Sequence, residues 1–167
     1  AGGRGEIYHF KASGKENWGK FDEAIRRVEA ARASGLEVSA NMYPYAASAT
    51  GLTVNLPAWA QEGGQEAMTA RLLDPATRTR VIAELDMIPP ADILLTTFRN
   101  EQLRPLSGKT LAEVASVRGT SPAATMLDLL VEDQSRIGTV RFTMSEENVR
   151  KAMALPWVSF CSDASSI

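Results

Sequence analysis

Residues 6 to 43 read EIYHFKASGKENWGKFDEAIRRVEAARASGLEVSANMY, and this segment carries the clearest secondary-structure pattern of the sequence. A β-prone run from Glu6 to Phe10 is followed by a loop. Apolar residues then recur at spacings of three and four from Phe21 to Ala31, which is the pattern of an amphipathic helix. Gly35 is placed to end that helix, and Leu36 to Tyr43 reads as a second strand. A strand, a helix and a strand joined by short loops predict two parallel strands with a right-handed crossover.

The rest of the chain is predicted to be mainly helical in its middle and to return to β-structure at its end. A short run from Asp92 to Thr96 is predicted as an isolated strand, and Val140 to Met144 as extended chain. Ser145 caps a helix, and Trp157 to Cys161 is predicted as a buried strand. Periodicity and capping residues predict further helices at 57–62, 65–73, 75–85, 109–117 and from Pro122 onward.

Composition excludes several classes of partner. The 167 residues include 18 basic and 20 acidic side chains without a dense basic block, so we expect no nucleic-acid partner. No apolar run approaches the roughly 20 residues that span a bilayer, so we expect no membrane partner. The single cysteine forms no internal disulfide, which fits a cytoplasmic location. The sequence begins without a methionine and stops just after a strand-like run, so we expect a piece of a longer protein.

Three predicted strand ends carry polar side chains. His9 and Lys11 follow the first strand, Tyr43 ends the second, and Asp163 follows the last. Because the carboxyl ends of parallel strands meet at one edge of a sheet, we expect these side chains to converge. An imidazole, a cation, a phenol and a carboxylate suit metal-assisted hydrolysis, in which the imidazole binds the metal and the carboxylate transfers a proton.

Each of these residues also has an ordinary structural interpretation. A lone histidine is commonly a packed residue, Asp163 after a strand suits a helix N-cap, and Tyr43 suits a packed turn. Cys161 is predicted as a buried core thiol. No complete phosphate-binding loop and no Gly-x-Ser-x-Gly elbow is present, so the sequence offers no stronger catalytic motif of another kind.

Four segments carry a family resemblance in addition. They are Ile7 to Gly14, Met42 to Thr50, Met144 to Val149 and Cys161 to Ala164. Their residues and their order resemble the D-aminoacylase (N-acyl-D-amino-acid deacylase) family of the amidohydrolase superfamily. The resemblance implies an α/β fold that is part of a (β/α)8 TIM barrel, about strands six to eight, with a largely helical insertion between strands seven and eight. The implied domains are a partial barrel at 1–55, the insertion at 56–138, and a return to the barrel at 139–167.

The resemblance also implies roles for individual residues in a zinc-dependent enzyme. His9 is similar to the zinc-binding histidine of the sixth strand, and Asp163 to the aspartate of the eighth strand that acts as general base and acid. Lys11 and Tyr43 resemble the residues that contact the substrate's carboxylate, and Thr50 resembles a substrate-binding hydroxyl. The implied substrate is an N-acyl-D-amino acid, a small anion that a lysine and a phenol suit.

Two departures and several absences limit these expectations. Ala49 replaces a serine common in the family, and Cys161 replaces a glycine. The family's His-x-His pair, its further metal ligands and a substrate-binding arginine would lie outside this chain. We therefore expect the chain alone to be inactive and to bind zinc weakly, and its open sheet edges to favour self-association.

Two alternatives to this interpretation stay open. One is a non-catalytic helical interaction or lid module formed by residues 65–133. The other is a cyclic-amidase relative, similar to dihydroorotases or hydantoinases, that would use the same metal chemistry.

Overall fold

The computed structural model describes residues 3 to 164, which divide into two compact units. The first unit comprises residues 3–48 and 143–164 of the described chain, and the second comprises residues 49–142. The implied barrel and insertion boundaries at 55 and 138 stay predictions. Among the described residues, every helix is too short or too polar to cross a membrane.

The chain is an α/β protein with six strands and seven α-helices among the described residues. The strands are β1 (Arg4–Ile7), β2 (Glu37–Met42), β3 (Ser48–Gly51), β4 (Ile93–Thr97), β5 (Gly138–Arg141) and β6 (Val158–Phe160). The helices are α1 (Phe21–Ala33), α2 (Ala58–Gln61), α3 (Gly64–Leu73), α4 (Pro75–Ala83), α5 (Leu111–Arg118), α6 (Pro122–Asp133) and α7 (Glu146–Met153). Short 3-10 turns lie at Lys15–Lys20, Leu52–Asn55, Pro90–Asp92 and Glu101–Leu106.

The first unit is built on a three-stranded parallel sheet with the order β1-β2-β6. The predicted strand-helix-strand unit with parallel strands is therefore confirmed. Helix α1 buries Phe21 and Val28 against this sheet, and Gly35, with a φ of +90°, lies just beyond its end. Glycine adopts this left-handed conformation without the steric cost that other residues incur, which explains why the helix stops here.

The outer strands of this sheet differ from the sequence prediction. β1 covers Arg4 to Ile7 instead of Glu6 to Phe10, so His9 lies in the loop after the strand. β6 has only three residues, and Ser159 and Phe160 are exposed, so the prediction of a buried strand is wrong. β6 is an edge strand whose only neighbour among the described residues is β2, which leaves one side uncovered. The predicted self-association through such edges stays a prediction.

The second unit contains a sheet with the order β3-β5-β4 and the five helices α2 to α6. The predicted helices of this region are confirmed to within a few residues. Two strand predictions need correction: β4 is not isolated, since it pairs antiparallel with β5, and β5 begins two residues before the predicted Val140. β3 was not predicted, because four residues reading SATG show neither apolar alternation nor a β-branched run.

The helices of the second unit have capping residues and buried apolar side chains that the sequence pattern shows. Helix α6 is capped by the Ser121 hydroxyl and presents Met126, Leu127, Leu129 and Leu130 as fully buried side chains. Helix α4 begins with the Asp74 side chain accepting the Thr77 N–H at 2.8 Å. These signals are local in sequence, so they do not depend on which strands pair.

Asp133 is a buried carboxylate that organises a loop of the second unit. It accepts the N–H groups of Asn100 at 2.8 Å and Arg99 at 3.2 Å, and it also accepts the Ser135 hydroxyl. Only 2% of its surface is exposed. We expect Asp133→Asn to lower the free energy of unfolding by about 1.5–3 kcal/mol, because an amide cannot accept all three bonds and brings a donor among donors.

Urea unfolding of the 167-residue chain measures this effect. Glu132→Gln is the matched control, since Glu132 is adjacent but exposed and pairs with Arg118 at the surface. We expect the control to lower the free energy of unfolding by less than about 1 kcal/mol. Equal losses for the two variants would contradict a structural role of the buried carboxylate.

Candidate active site

The carboxyl ends of the parallel strands of the first unit carry the predicted functional residues. His9 follows β1, Tyr43 directly follows β2, and Asp163 follows β6. The rings of His9 and Tyr43 meet edge to face with their centroids 6.3 Å apart, and Lys11 Nζ lies 5.0 Å from the centroid of the Tyr43 ring. The Tyr8 hydroxyl donates a hydrogen bond to the Asp163 carboxylate. The structure thus brings His9, Lys11, Tyr43 and Asp163 to one end of one sheet.

Two of these residues have unusual backbone conformations. His9 has a φ of +40° and Asp163 a φ of +51°, in the left-handed region that costs a non-glycine residue about 1–2 kcal/mol. Both backbone polar groups of His9 form hydrogen bonds with side chains. Its N–H donates to Asn41 Oδ1 at 2.7 Å, and its carbonyl accepts from Lys11 Nζ at 3.1 Å. A strained residue that its neighbours hold in place is typical of a functional site.

The environment shifts the proton affinities of the side chains around Asp163. Burial lowers the pKa of the Lys11 ammonium, and the negative charge of Asp163 opposes that shift. Burial raises the pKa of Tyr43 to about 12, and the charge of Asp163 adds to the rise. The hydrogen bond to Asp163 raises the pKa of Tyr8. At neutral pH the Tyr43 phenol therefore keeps its proton and can donate it in a hydrogen bond to an anion.

Tyrosine titration tests the burial of Tyr43. In the 167-residue chain, which has three tyrosines, we expect one phenol to ionise only near pH 12, and Tyr43→Phe to remove this component from the tyrosinate absorbance. Because a free phenol ionises near pH 10, the folded state becomes less stable as the pH rises through this window. Tyr45→Phe is the control, and it should leave the component near pH 12 in place. Its loss in Tyr45→Phe instead would contradict the assignment.

The inner side of the site is closely packed. A narrow cleft of about 10 Å³ adjoins His9, Lys11 and Tyr43, and this volume is at the lower limit for a single water molecule. Apolar side chains that include Phe21, Met42 and Met144 line it. The loop after β1 therefore rests on a filled core, which restricts the movement of the residues it carries.

The described residues fit a zinc ion only in part. Zinc sites in proteins use three or four protein ligands, usually histidine, cysteine or carboxylate groups. His9 offers one imidazole, but residues 3 to 164 contain no cluster of three such side chains placed to hold a metal. A complete zinc site would need further ligands from outside these residues.

Comparison with known proteins identifies relatives among solved structures. No family model matches the sequence, and no curated protein matches it. A D-aminoacylase described as defining a novel subset of amidohydrolases matches 95% of this chain with a TM-score of 0.60 and 29% identity. The chain is similar in sequence and structure to the D-aminoacylases. The predicted resemblance is therefore confirmed.

Two further solved structures also match the chain. A D-aminoacylase structure concerned with a binuclear metal centre also matches 95% of the chain at 29% identity, with a TM-score of 0.60. An N-acyl-D-glutamate deacylase from Bordetella bronchiseptica, complexed with zinc and a phosphonate inhibitor, matches 96% of it with a TM-score of 0.64. At 22% identity, the deacylase supports the fold alone. The chain spans about a quarter of the length of these relatives.

One predicted residue of the D-aminoacylase resemblance lies in the second unit. Thr50 is a half-buried residue of β3, and its backbone carbonyl accepts the Thr139 hydroxyl at 2.9 Å. Its role in substrate binding stays a prediction. Cys161 lies beyond β6 and is partly exposed, so the prediction of a buried core thiol is wrong; the short edge strand ends before it.

Sequence reasoning assigned no role to two residues that contact this group. Tyr8 lies next to His9 in the sequence, and its contact with Asp163 joins positions 155 residues apart. Asn41 lies within the second strand and contacts His9. An asparagine is depleted in strands, so its presence in a β-prone run was the one signal that pointed to a special role.

Proposed function

We propose that this chain is part of a zinc-dependent amidohydrolase that hydrolyses N-acyl-D-amino acids to a D-amino acid and a carboxylate. The observation that carries the proposal is the convergence of His9, Lys11, Tyr43 and Asp163 at the carboxyl ends of adjacent parallel strands. The similarity to D-aminoacylases supports it. In this proposal β1, β2 and β6 are strands six to eight of a (β/α)8 barrel, and the helical region of the second unit is an insertion.

The substrate's carboxylate is bound by Lys11 and Tyr43. The Lys11 ammonium is partly desolvated, so an incoming anion meets a cation with little competing water. The Tyr43 phenol stays protonated and donates a hydrogen bond. Together they hold the amino-acid end of the substrate and leave the amide directed toward His9 and Asp163.

Asp163 moves the proton in the proposed reaction. Its carboxylate takes a proton from the attacking water and returns it to the amide nitrogen, so that the C–N bond breaks and a neutral amine leaves. His9 would be one ligand of the zinc ion, with the other ligands outside this chain. When bound, zinc polarises the acyl carbonyl and makes water more acidic.

A helical interaction module remains a second candidate function, for one structural reason. The second unit has its own core, formed by α2 to α6 and the sheet β3-β5-β4, and none of His9, Lys11, Tyr43 or Asp163 belongs to it. This supports independent folding of residues 49–142. A cooperative unfolding transition of that segment alone, together with specific binding of another protein, would favour the module.

Substrate hydrolysis by the complete protein tests the enzyme proposal. We expect release of free amine from N-acetyl-D-amino acids, at least a hundredfold less from the L-enantiomers, and loss of activity with a zinc chelator. A hydantoin or dihydroorotate is the comparison substrate. Preferential hydrolysis of the cyclic amide would contradict the proposal in favour of a cyclic amidase. The 167-residue chain alone is expected to be inactive and to bind zinc weakly.

A further inference from the structure

We propose that Asn41 is the positioning residue of this site, holding the loop that carries His9 in register with the chain that leads from β6 to Asp163. The catalytic importance of His9 and Asp163 in this inference rests on the proposed function. The hydrogen bonds of Asn41 are independent of that function, so the contacts and the catalytic effect are tested in separate experiments.

Asn41 uses every polar atom of its side chain. It lies on β2, the central strand of the sheet. Its Oδ1 accepts the His9 N–H at 2.7 Å and the Cys161 thiol at 3.4 Å, while its Nδ2 donates to Glu6 Oε1 at 2.8 Å. The Asn41 backbone carbonyl also accepts the Phe10 N–H at 2.8 Å. Asn41 therefore forms hydrogen bonds with β1, with the loop after β1 and with the chain just beyond β6.

The donor and acceptor pattern fixes the orientation of the amide. Two donors, the His9 backbone N–H and the Cys161 thiol, face Oδ1, and the Glu6 carboxylate faces Nδ2. The opposite orientation of the amide would lose both of these hydrogen bonds and would bring its oxygen against the Glu6 carboxylate. No other residue type of this size presents an acceptor and a donor in this arrangement. Any substitution of Asn41 therefore removes at least one of its three side-chain hydrogen bonds.

The His9 contact matters because of the backbone conformation at that residue. His9 has a φ of +40°, and its N–H needs a partner outside the backbone ladder of β1 and β2, because the adjacent Phe10 N–H takes the Asn41 backbone carbonyl. Asn41 Oδ1 supplies that partner. Without this hydrogen bond, less binding energy offsets the conformational strain of the left-handed backbone at His9. We therefore expect the loop to sample other conformations.

The same amide sets the separation of His9 from the end of β6. His9 and Cys161 share one acceptor atom, and Cys161 lies two residues before Asp163. A change at Asn41 therefore alters the placement of the imidazole relative to the carboxylate. Among the described residues, the Asn41 side chain forms hydrogen bonds with His9, Cys161 and Glu6, and not with Lys11 or Tyr43, the proposed partners of the substrate's carboxylate.

Hydrogen exchange at the His9 amide tests the contact in the 167-residue chain. We expect Asn41→Ala to speed exchange of this amide at least tenfold, and Asn41→Asp, which keeps the acceptor, to leave it within about threefold. Ser39→Ala, on the same face of β2, is the control and should leave it unchanged. Unchanged His9 exchange in Asn41→Ala would overturn the proposal. If Asn41→Ala fails to fold, Asn41→Leu at lower temperature, which also removes the acceptor, decides by the same readout.

Kinetics of the complete protein test the positioning role. We expect Asn41→Ala to lower kcat about tenfold while KM for an N-acetyl-D-amino acid changes less than twofold. Asn41→Asp should also lower kcat, because it places a second carboxylate against Glu6. Adding Glu6→Gln restores a donor to that pair, so the double variant should return to within about threefold of the unchanged protein.

The outcomes separate the two proposals. Failure of the double variant to recover, or a rise in KM in place of a fall in kcat, would overturn positioning by Asn41. If the complete protein hydrolyses no N-acyl-D-amino acid, the proposed function fails, while hydrogen exchange at His9 still decides whether Asn41 holds the loop.

Discussion

Under the proposed function, the Asp163→Asn variant of the complete protein is expected to hydrolyse N-acyl-D-amino acids with a kcat about 10²–10⁴-fold below that of the unchanged protein. An amide cannot take the proton of the attacking water or return it to the leaving amine. Its oxygen can still accept the hydrogen bond that Tyr8 donates to Asp163, so the contact between the two strand ends is kept. The substitution therefore tests proton transfer with little disturbance of the backbone.

A matched control distinguishes this effect from a general loss of negative charge. Glu29→Gln changes an exposed carboxylate on α1, away from the site, and is expected to leave kcat and KM unchanged. The unfolding midpoints of both variants should lie close to that of the unchanged protein. If Asp163→Asn folded normally and retained kcat within a factor of about ten, the assigned role of Asp163 would be wrong.

Lys11→Met is expected to raise KM about 10–100-fold with a much smaller change in kcat. A hydrogen bond to a charged group contributes about 1.5–3 kcal/mol, which corresponds to this range of affinity. Methionine keeps most of the apolar stem of the side chain, so the packing beside Tyr43 is preserved while the ammonium is removed. The bond from Lys11 to the His9 carbonyl is also lost, which accounts for a small decrease in kcat.

Two comparisons assign the effect to the substrate's carboxylate. Lys20→Met removes an exposed ammonium whose partner is the Asn17 side chain, and it should leave KM unchanged. An N-acylated amine without a carboxylate is the second comparison, and the unchanged protein and Lys11→Met should turn it over equally slowly. An equal loss with both kinds of substrate would mean that Lys11 acts on the structure of the site instead of on the anion.

Local sequence signals predicted most of the helices and the parallel strand pair. The apolar spacing in α1, the glycine after it and the hydroxyl caps of α6 and α7 all act within a few residues. Such signals are readable because helix periodicity and capping do not depend on distant parts of the chain. The resemblance of four short segments to D-aminoacylases was readable for the same reason.

The strands were predicted less well because pairing decides where they begin and end. β1 ends at Ile7, and beyond it the His9 N–H donates to the Asn41 side chain instead of to a backbone carbonyl of β2. β3 forms from residues with no strand pattern, since a neighbouring strand supplies its partner. The apolar run at β6 predicted burial, yet an edge position leaves Phe160 60% exposed.

The helices, the βαβ unit and the residue types available for chemistry follow from the sequence alone, because they depend on neighbours along the chain. Two contacts depend on the tertiary structure. Asn41 accepts hydrogen bonds from both His9 and Cys161, although Cys161 lies 120 positions from Asn41, and the Tyr8 hydroxyl donates to Asp163. Those contacts exist because β1 and β6 flank the same central strand. Strand order is a property of the folded sheet, and no local pattern of residues encodes it.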